Sequence, residues 1–199
     1  MLISLADYGV GNLHSIKKSL ENAGAKVVVI NDMKEILNAE CLVLPGVGAF
    51  DKAMEKLAPY REDVCDMLAS GVPALCICVG TQILFNGSDE GSAGGLGFIS
   101  GRVKKLKAGQ IPHMGWNSVD SDDDLLKNVE SRHFYFAHSY YCEPSDNSVV
   151  IGTTEHGGVS VPALFRKMNA YGCQFHPEKS SSSGNVFIKN FLNFAREKL

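Results

Sequence analysis

Four short, largely apolar segments, Leu2–Ala6, Val27–Ile30, Cys41–Leu44 and Ala74–Cys78, fall within the first 78 residues. Apolar runs with so little polar alternation have no face to give to water, so they read as strands buried on both sides. The stretches around them keep helical spacing. Leu13, Ile16, Leu20 and Ala23 mark one helical face, with Asn12 placed to cap it and Gly24 to stop it. Further helices are expected over about Phe50–Leu57 and Arg61–Ser70, and another starting near Thr81, after the break at Gly71 and Pro73. Strand and helix alternating in this way predict an α/β fold whose central, mostly parallel sheet carries helices on both faces.

The second half is less regular. Strands are expected near Gly101–Leu106, Phe134–Ser139, Val149–Thr153, Ala163–Arg166 and Ala170–Phe175, separated by Gly and Asp turns, as an antiparallel extension of the sheet. A closing helix from about Val186 places Phe187, Ile188, Phe191, Leu192 and Ala195 in one stripe. No linker, repeat or low-complexity tract interrupts the chain, so one domain is expected over residues 1–199. A domain of that length buries roughly 70% of the surface its unfolded chain exposes and needs no staple.

Charge narrows the partners. With 19 Lys and Arg against 22 Asp and Glu, the formal net charge is −3 and no block of like charge stands out. That lacks the basic footprint of a nucleic-acid or anionic-membrane binder. No run approaches the roughly 20 apolar residues that span a bilayer, and the N-terminal run reaches Asp7 too soon for a signal peptide, so a cytoplasmic location is expected. The six cysteines, at 41, 65, 76, 78, 142 and 173, form no C-x-x-C pair and have no matching set of histidines. Neither a metal nor a cofactor is expected, and most of the cysteines read as small buried hydrophobes.

Cys78 differs in its setting. It ends an apolar strand and is followed by Val79-Gly80 and a helical pattern, as in a nucleophile elbow, where a strained strand-to-helix turn projects the nucleophile over the sheet edge. A helix N-terminus there would offer backbone N–H groups to a thiolate or an oxyanion. Pro45-Gly46-Val47-Gly48 follows a neighbouring strand, and its glycines allow a second N–H to turn toward a ligand. Both loops also fit ordinary tight turns. A base is offered by Gln174-Phe175-His176-Pro177-Glu178. Pro177 keeps His176 extended, so Glu178 can reach back to orient the imidazole. A surface ion pair is the plainer reading of His-x-Glu alone.

An elbow cysteine, an earlier glycine loop and a late His-Pro-Glu, in that order, together resemble the class I glutamine amidotransferases. Four stretches narrow the resemblance: Tyr8-Gly9-Val10-Gly11-Asn12-Leu13, Leu44-Pro45-Gly46-Val47-Gly48-Ala49-Phe50, Ile111-Pro112-His113-Met114-Gly115-Trp116-Asn117 and His176-Pro177-Glu178-Lys179-Ser180. They look like the branch whose members supply ammonia to a separate (β/α)8-barrel cyclase subunit in histidine biosynthesis, and the likeness spans essentially the whole chain.

The resemblance implies a catalytic triad of Cys78, His176 and Glu178 acting on L-glutamine. Val47 and Val79 would supply oxyanion N–H groups, with Gly46 and Gly48 freeing the loop. Gln82, Glu90, Ser139 and Tyr140 would hold the glutamine. Asn12, Trp116, Tyr135 and Lys179 would face the cyclase; the plainer readings are a core anchor for Trp116 and a solvated loop cation for Lys179. One departure is Cys76, where the family's elbow usually has glycine two residues before the nucleophile. Cys76 is assigned to packing, with a place on the same strand face as its rival claim to be the nucleophile. The alternatives are the glutaminase of pyridoxal phosphate synthesis, which lacks the Pro-His-Met-Gly-Trp-Asn stretch, and an inactive flavodoxin-like interaction module.

Overall fold

The structure, a computed structural model, describes residues 1–9 and 11–199. Val10, in the expected loop after the first strand, lies outside the described residues. In chain order the elements are β1 (Leu2–Ala6), α1 (Leu13–Asn22), β2 (Lys26–Ile30), β3 (Leu42–Leu44), α2 (Phe50–Leu57), α3 (Arg61–Ala69), β4 (Ala74–Ile77) and a single turn α4 (Val79–Gln82). There follow β5 (Gly101–Lys105), β6 (His113–Ser118), β7 (His133–His138), β8 (Tyr140–Pro144), β9 (Val150–His156), β10 (Val159–Lys167), β11 (Ala170–Cys173) and α5 (Ser181–Arg196).

The central sheet has seven strands in the order β2-β1-β3-β4-β11-β10-β9. Strands β2, β1, β3, β4 and β11 run parallel, and β10 and β9 add the antiparallel extension. Every residue of β3, β4 and β11 is buried, which is why these segments carry no polar alternation. The parallel ladder sets the location of the site. The loops after β1, β3, β4 and β11 all leave from the carboxyl edge of adjacent strands, the edge at which open α/β sheets bind ligands.

α1 begins at Asn12, whose side chain accepts from Ser15 N–H at 3.3 Å. It ends before Gly24, at φ +93, as the periodicity predicts. The stripe on α5 is buried as expected, and Phe187 packs edge-on against Phe134 and Phe175 at 5.9 and 5.2 Å. Each fully buried Phe of this kind contributes about 1.5–3 kcal/mol of transfer free energy.

Several expectations are corrected. Ala170–Cys173, expected within the antiparallel extension, instead runs parallel to β4 inside the sheet. The segments at Gly101–Leu106 and Phe134–Ser139 do not extend the central sheet. β5 pairs with β8 and β7 with β6, in two separate two-stranded sheets. Their partners contain charged, Gly and Trp residues rather than a clean apolar run, and so left no strand signal of their own. The helix after Cys78 starts at Val79, ahead of Thr81, and makes a single turn. Leu96 N–H bonds to Ile83 O, Gly97 N–H to Phe85 O and Ile99 N–H to Leu84 O. The returning 95–99 segment thus takes the carbonyls that further helical turns would use. Gly95 is required there, since a Cβ would lie 2.0 Å from Phe85 O. At the other end, α5 starts five residues ahead of the predicted Val186, through a Ser-rich turn that no apolar period marks.

Candidate active site

Cys78 sits between β4 and α4 with φ 50 and ψ −106. A non-glycine residue in this region is strained, and such strain gathers at functional turns. Several bonds hold it in place. Cys78 N–H bonds to Cys173 O at 2.7 Å, while Thr81 and Gln82 N–H close the turn on Cys78 O at 2.9 and 3.0 Å. The single proton of the buried Thr81 hydroxyl is shared between Cys76 O and Cys173 O, 2.8 and 3.0 Å away. Cys76 itself is fully buried, and burial pushes its thiol well above the ordinary range.

The glycine loop interlocks with this elbow. A Cβ on Gly46 would lie 1.8 Å from Ile77 O and 2.4 Å from Val79 N; one on Gly80 would lie 2.1 Å from Leu44 O. Only bare backbone permits the two turns to meet. The Tyr8 hydroxyl donates to Pro45 O from beneath, and Gly48 adopts φ +128. Val79 is the first residue of α4, where an amide N–H has no intrahelical acceptor.

His176 and Glu178 are adjacent to Cys78 in space but distant in sequence. His176 Nδ1 lies 2.9 Å from Glu178 Oε1, and both side chains are 1% exposed, which removes the surface-ion-pair reading. His176 N–H bonds to Tyr135 O at 2.8 Å. The Ser180 hydroxyl bridges the same two strands, donating to His176 O at 2.6 Å and accepting from Tyr135 N–H at 2.9 Å. Burial opposes charge on the imidazole, but the Cys78 sulfur and then the Glu178 carboxylate outweigh it and raise the pKa from 6.5 to about 9. Among the described residues His176 Nε2 has no formed hydrogen bond, so it lies near the sulfur without being locked to it. Loose catalytic contacts of this kind tighten when substrate binds.

Cys78, Val79, Val47, Gly48, Gln82, Glu90, Ser139 and Tyr140 all line one cleft of about 300 Å³, with Pro112 and Met114 from the second half of the chain. Glu90 Oε2 accepts from Phe50 N–H at the start of α2, 3.0 Å away, and its other oxygen has no hydrogen bond among the described residues. The Gln82 amide donates to Tyr140 O at 3.1 Å. The same carbonyl is bonded by His138 Nδ1 at 2.9 Å. His138 Nε2 is in turn 3.1 Å from His113 Nδ1, and His113 Nε2 is 3.1 Å from the Asn117 amide. Burial lowers His113 to about 4 and His138 to about 3, so both are neutral near pH 7 and the chain runs one way, toward Tyr140 O.

Of the four expected interface residues, three converge. Trp116 and Tyr135 face each other across β6 and β7 with centroids 6.2 Å apart, and Lys179 Nζ lies 5.9 Å from the Tyr135 ring. Trp116 is 52% exposed, so it anchors no core; Met114 is 64% exposed beside it. Asn12 stands apart as the cap of α1, whose Ser15 and Lys18 line a groove with Lys179. Sequence reasoning assigned no role to Gln174, Ser180, His138 or Tyr8. Only Gln174 carried a usable signal, since it stands two residues before His176.

The sequence profile of the family described as "Glutamine amidotransferase class-I" matches residues 4–194. The protein named imidazole glycerol phosphate synthase subunit HisH in Gloeothece citriformis is 45% identical, over 99% of this chain and 98% of its own length. Its namesake in Methanothermobacter thermautotrophicus is 43% identical, over 98% of this chain and 100% of its own. Among solved structures, PurLQS from Thermotoga maritima superposes with a TM-score of 0.73 at 18% identity, covering 97% of this chain and 98% of that one.

Proposed function

Because the chain belongs to the class I glutamine amidotransferases, we propose that it is the glutaminase subunit of an imidazole glycerol phosphate synthase, as its relatives are named. It would act in the cytoplasm, as a single domain paired with a (β/α)8-barrel cyclase subunit. The observation that carries this reading is the buried His176–Glu178 pair beside a strained cysteine. The relatives' name favours this branch over the glutaminase of pyridoxal phosphate synthesis.

In the proposed reaction the Cys78 thiol passes its proton to His176 and the sulfur attacks the side-chain amide carbon of L-glutamine. The C–S bond forms and the carbonyl π electrons move onto oxygen, where the Val47 and Val79 N–H groups receive them. Gly46 and Gly48 let the Val47 peptide turn to that position. The oxyanion then collapses, His176 gives its proton to the departing nitrogen, and ammonia leaves a thioester. Water, deprotonated by His176, hydrolyses the thioester to glutamate and returns the thiol. Glu178 keeps the imidazole oriented. The second Glu90 oxygen suits the α-ammonium group, and Gln82, Ser139 and Tyr140 close around the rest of the amino acid. Ammonia passes to the cyclase, which makes imidazole glycerol phosphate and aminoimidazole carboxamide ribotide in histidine biosynthesis.

A glutaminase assay with and without the cyclase subunit and its ligand tests this reading. Low turnover alone and faster turnover in the liganded complex are expected; full activity without any partner would refute the coupling. Trp116, Tyr135 and Lys179 form the proposed docking face, with Met114 exposed beside them. Trp116→Ala should weaken binding of the cyclase by roughly thirtyfold or more, the cost of losing a central aromatic anchor, as read by titration calorimetry. An unchanged Kd would remove Trp116 from the interface.

The raised pKa of His176 fixes the alkaline limb. The imidazole must hold a proton to release ammonia, so turnover is expected to fall as the pH rises through about 9. Glu178→Gln should lower that limb in part, because the Cys78 sulfur, the larger cause of the rise, stays in place. The same proton stabilises the fold in full below pH 6.5, and its contribution is lost as pH rises through about 9. A pH–rate profile and thermal melts over that range check both signs.

A further inference from the structure

We propose that Gln174 is a further catalytic residue, whose side-chain amide donates a hydrogen bond to the Cys78 sulfur and fixes the direction in which the nucleophile's lone pairs point. The inference rests on the glutaminase reading above. Gln174 is fully buried, two residues before His176, and its Nε2 lies 3.5 Å from Cys78 Sγ. Its backbone N–H bonds to Ala163 O at 2.9 Å. β11 ends at Cys173, and Gln174 and His176 both approach Cys78 from the bend beyond it. Gly172, within β11, must be bare, because a Cβ would lie 2.6 Å from Thr81 Cγ2, directly behind the elbow.

The orientation of the Gln174 amide follows from its neighbours. Tyr140 O can only accept, so the group 3.1 Å from it must be the Gln82 amide nitrogen. That nitrogen also lies 3.3 Å from Gln174, which must therefore present its oxygen to Gln82. Its nitrogen is left facing the sulfur, where it can only donate. Cys78 is thus an acceptor on this side. The thiol proton, when present, is directed away from Gln174 and toward His176 Nε2, which has no other partner among the described residues. A buried donor at a developing thiolate also favours the charged form, and such charge-assisted bonds are about twice as strong as neutral ones. The His138–His113–Asn117 chain holds the far end of this array by fixing Tyr140 O.

Two variants separate a donor from a spacer. Gln174→Glu keeps the oxygen that Gln82 needs and replaces the donor with a second oxygen; Gln174→Met removes both but keeps the length. With folding checked by thermal melts, each variant should slow iodoacetamide alkylation of Cys78 at pH 7.5 by about tenfold or more. Alkylation is read on the Cys78 peptide by mass spectrometry. In the complex with the cyclase, kcat for glutamine should fall by a similar factor with KM unchanged, because Gln174 touches the sulfur rather than the substrate; synthesis from added ammonium salt should persist. Alkylation and kcat within twofold of wild type in either folded variant would overturn the proposal, as would a defect confined to KM. Absence of glutaminase activity in the wild-type complex would instead sink the functional reading, and the alkylation rates would still decide the role of Gln174.

Discussion

Cys78→Ala is expected to lower glutamine-dependent synthesis by at least about a thousandfold, the order of loss seen when a covalent nucleophile is removed, while synthesis from added ammonium salt continues in the assembled enzyme. The two halves of the result are read together. Loss of both would mean that the substitution damages the partner interface or the fold; retention of both would mean that Cys78 is not the nucleophile. Cys76→Ala is the control. Cys76 is sealed inside β4, its thiol pushed up by burial, and it has no place on the strained turn. Removing its sulfur leaves a small cavity, so a modest loss of stability with glutaminase activity intact is the expected outcome.

How much of this site was legible in the sequence depends on what each residue does. The inner strands β3 and β4 were, because burial on both faces leaves an apolar run such as Ala74–Ile77 that turns cannot imitate. β2 is an edge strand with Val28 41% exposed, and β11 runs parallel to β4 where the sequence predicts an antiparallel extension. The elbow was as well, since a thiol followed by Val79-Gly80 at a strand end is an uncommon juxtaposition. β6 and β8 were not. His113–Ser118 and Tyr140–Pro144 are two-stranded elements whose stability comes from each partner strand, and whose exposed faces carry Met114, Trp116 and Tyr141. The His138–His113 chain was equally hidden. Its two histidines are 25 residues apart, and only the pairing of β6 with β7 brings them within 3.1 Å. Gln174 was written out as part of a motif, but its amide acquires a direction only once Gln82 and Tyr140 O are in place.

The second large effect concerns Gly80. Its replacement by alanine should cost about 3 kcal/mol or more, the upper range for forcing a methyl group into packed structure, because the added carbon meets the carbonyl of Leu44, 2.1 Å away, rather than a side chain that can rotate. For a domain of this size that is roughly 6–12 °C in Tm. Gly46→Ala makes the reciprocal clash with Ile77 O at 1.8 Å and should cost at least as much. The functional loss should exceed what lowered stability explains. Relieving either clash parts the Pro45–Gly48 loop from the elbow, and that moves the Val47 and Val79 N–H groups away from a shared oxyanion. Glutaminase activity measured at 15 °C, where both variants are still folded, is therefore expected to remain more than tenfold below wild type, since losing a single oxyanion donor costs on the order of a hundredfold. Recovery of full turnover at low temperature would show that the loop and the elbow need only be near each other, and that their interlocking serves the fold alone.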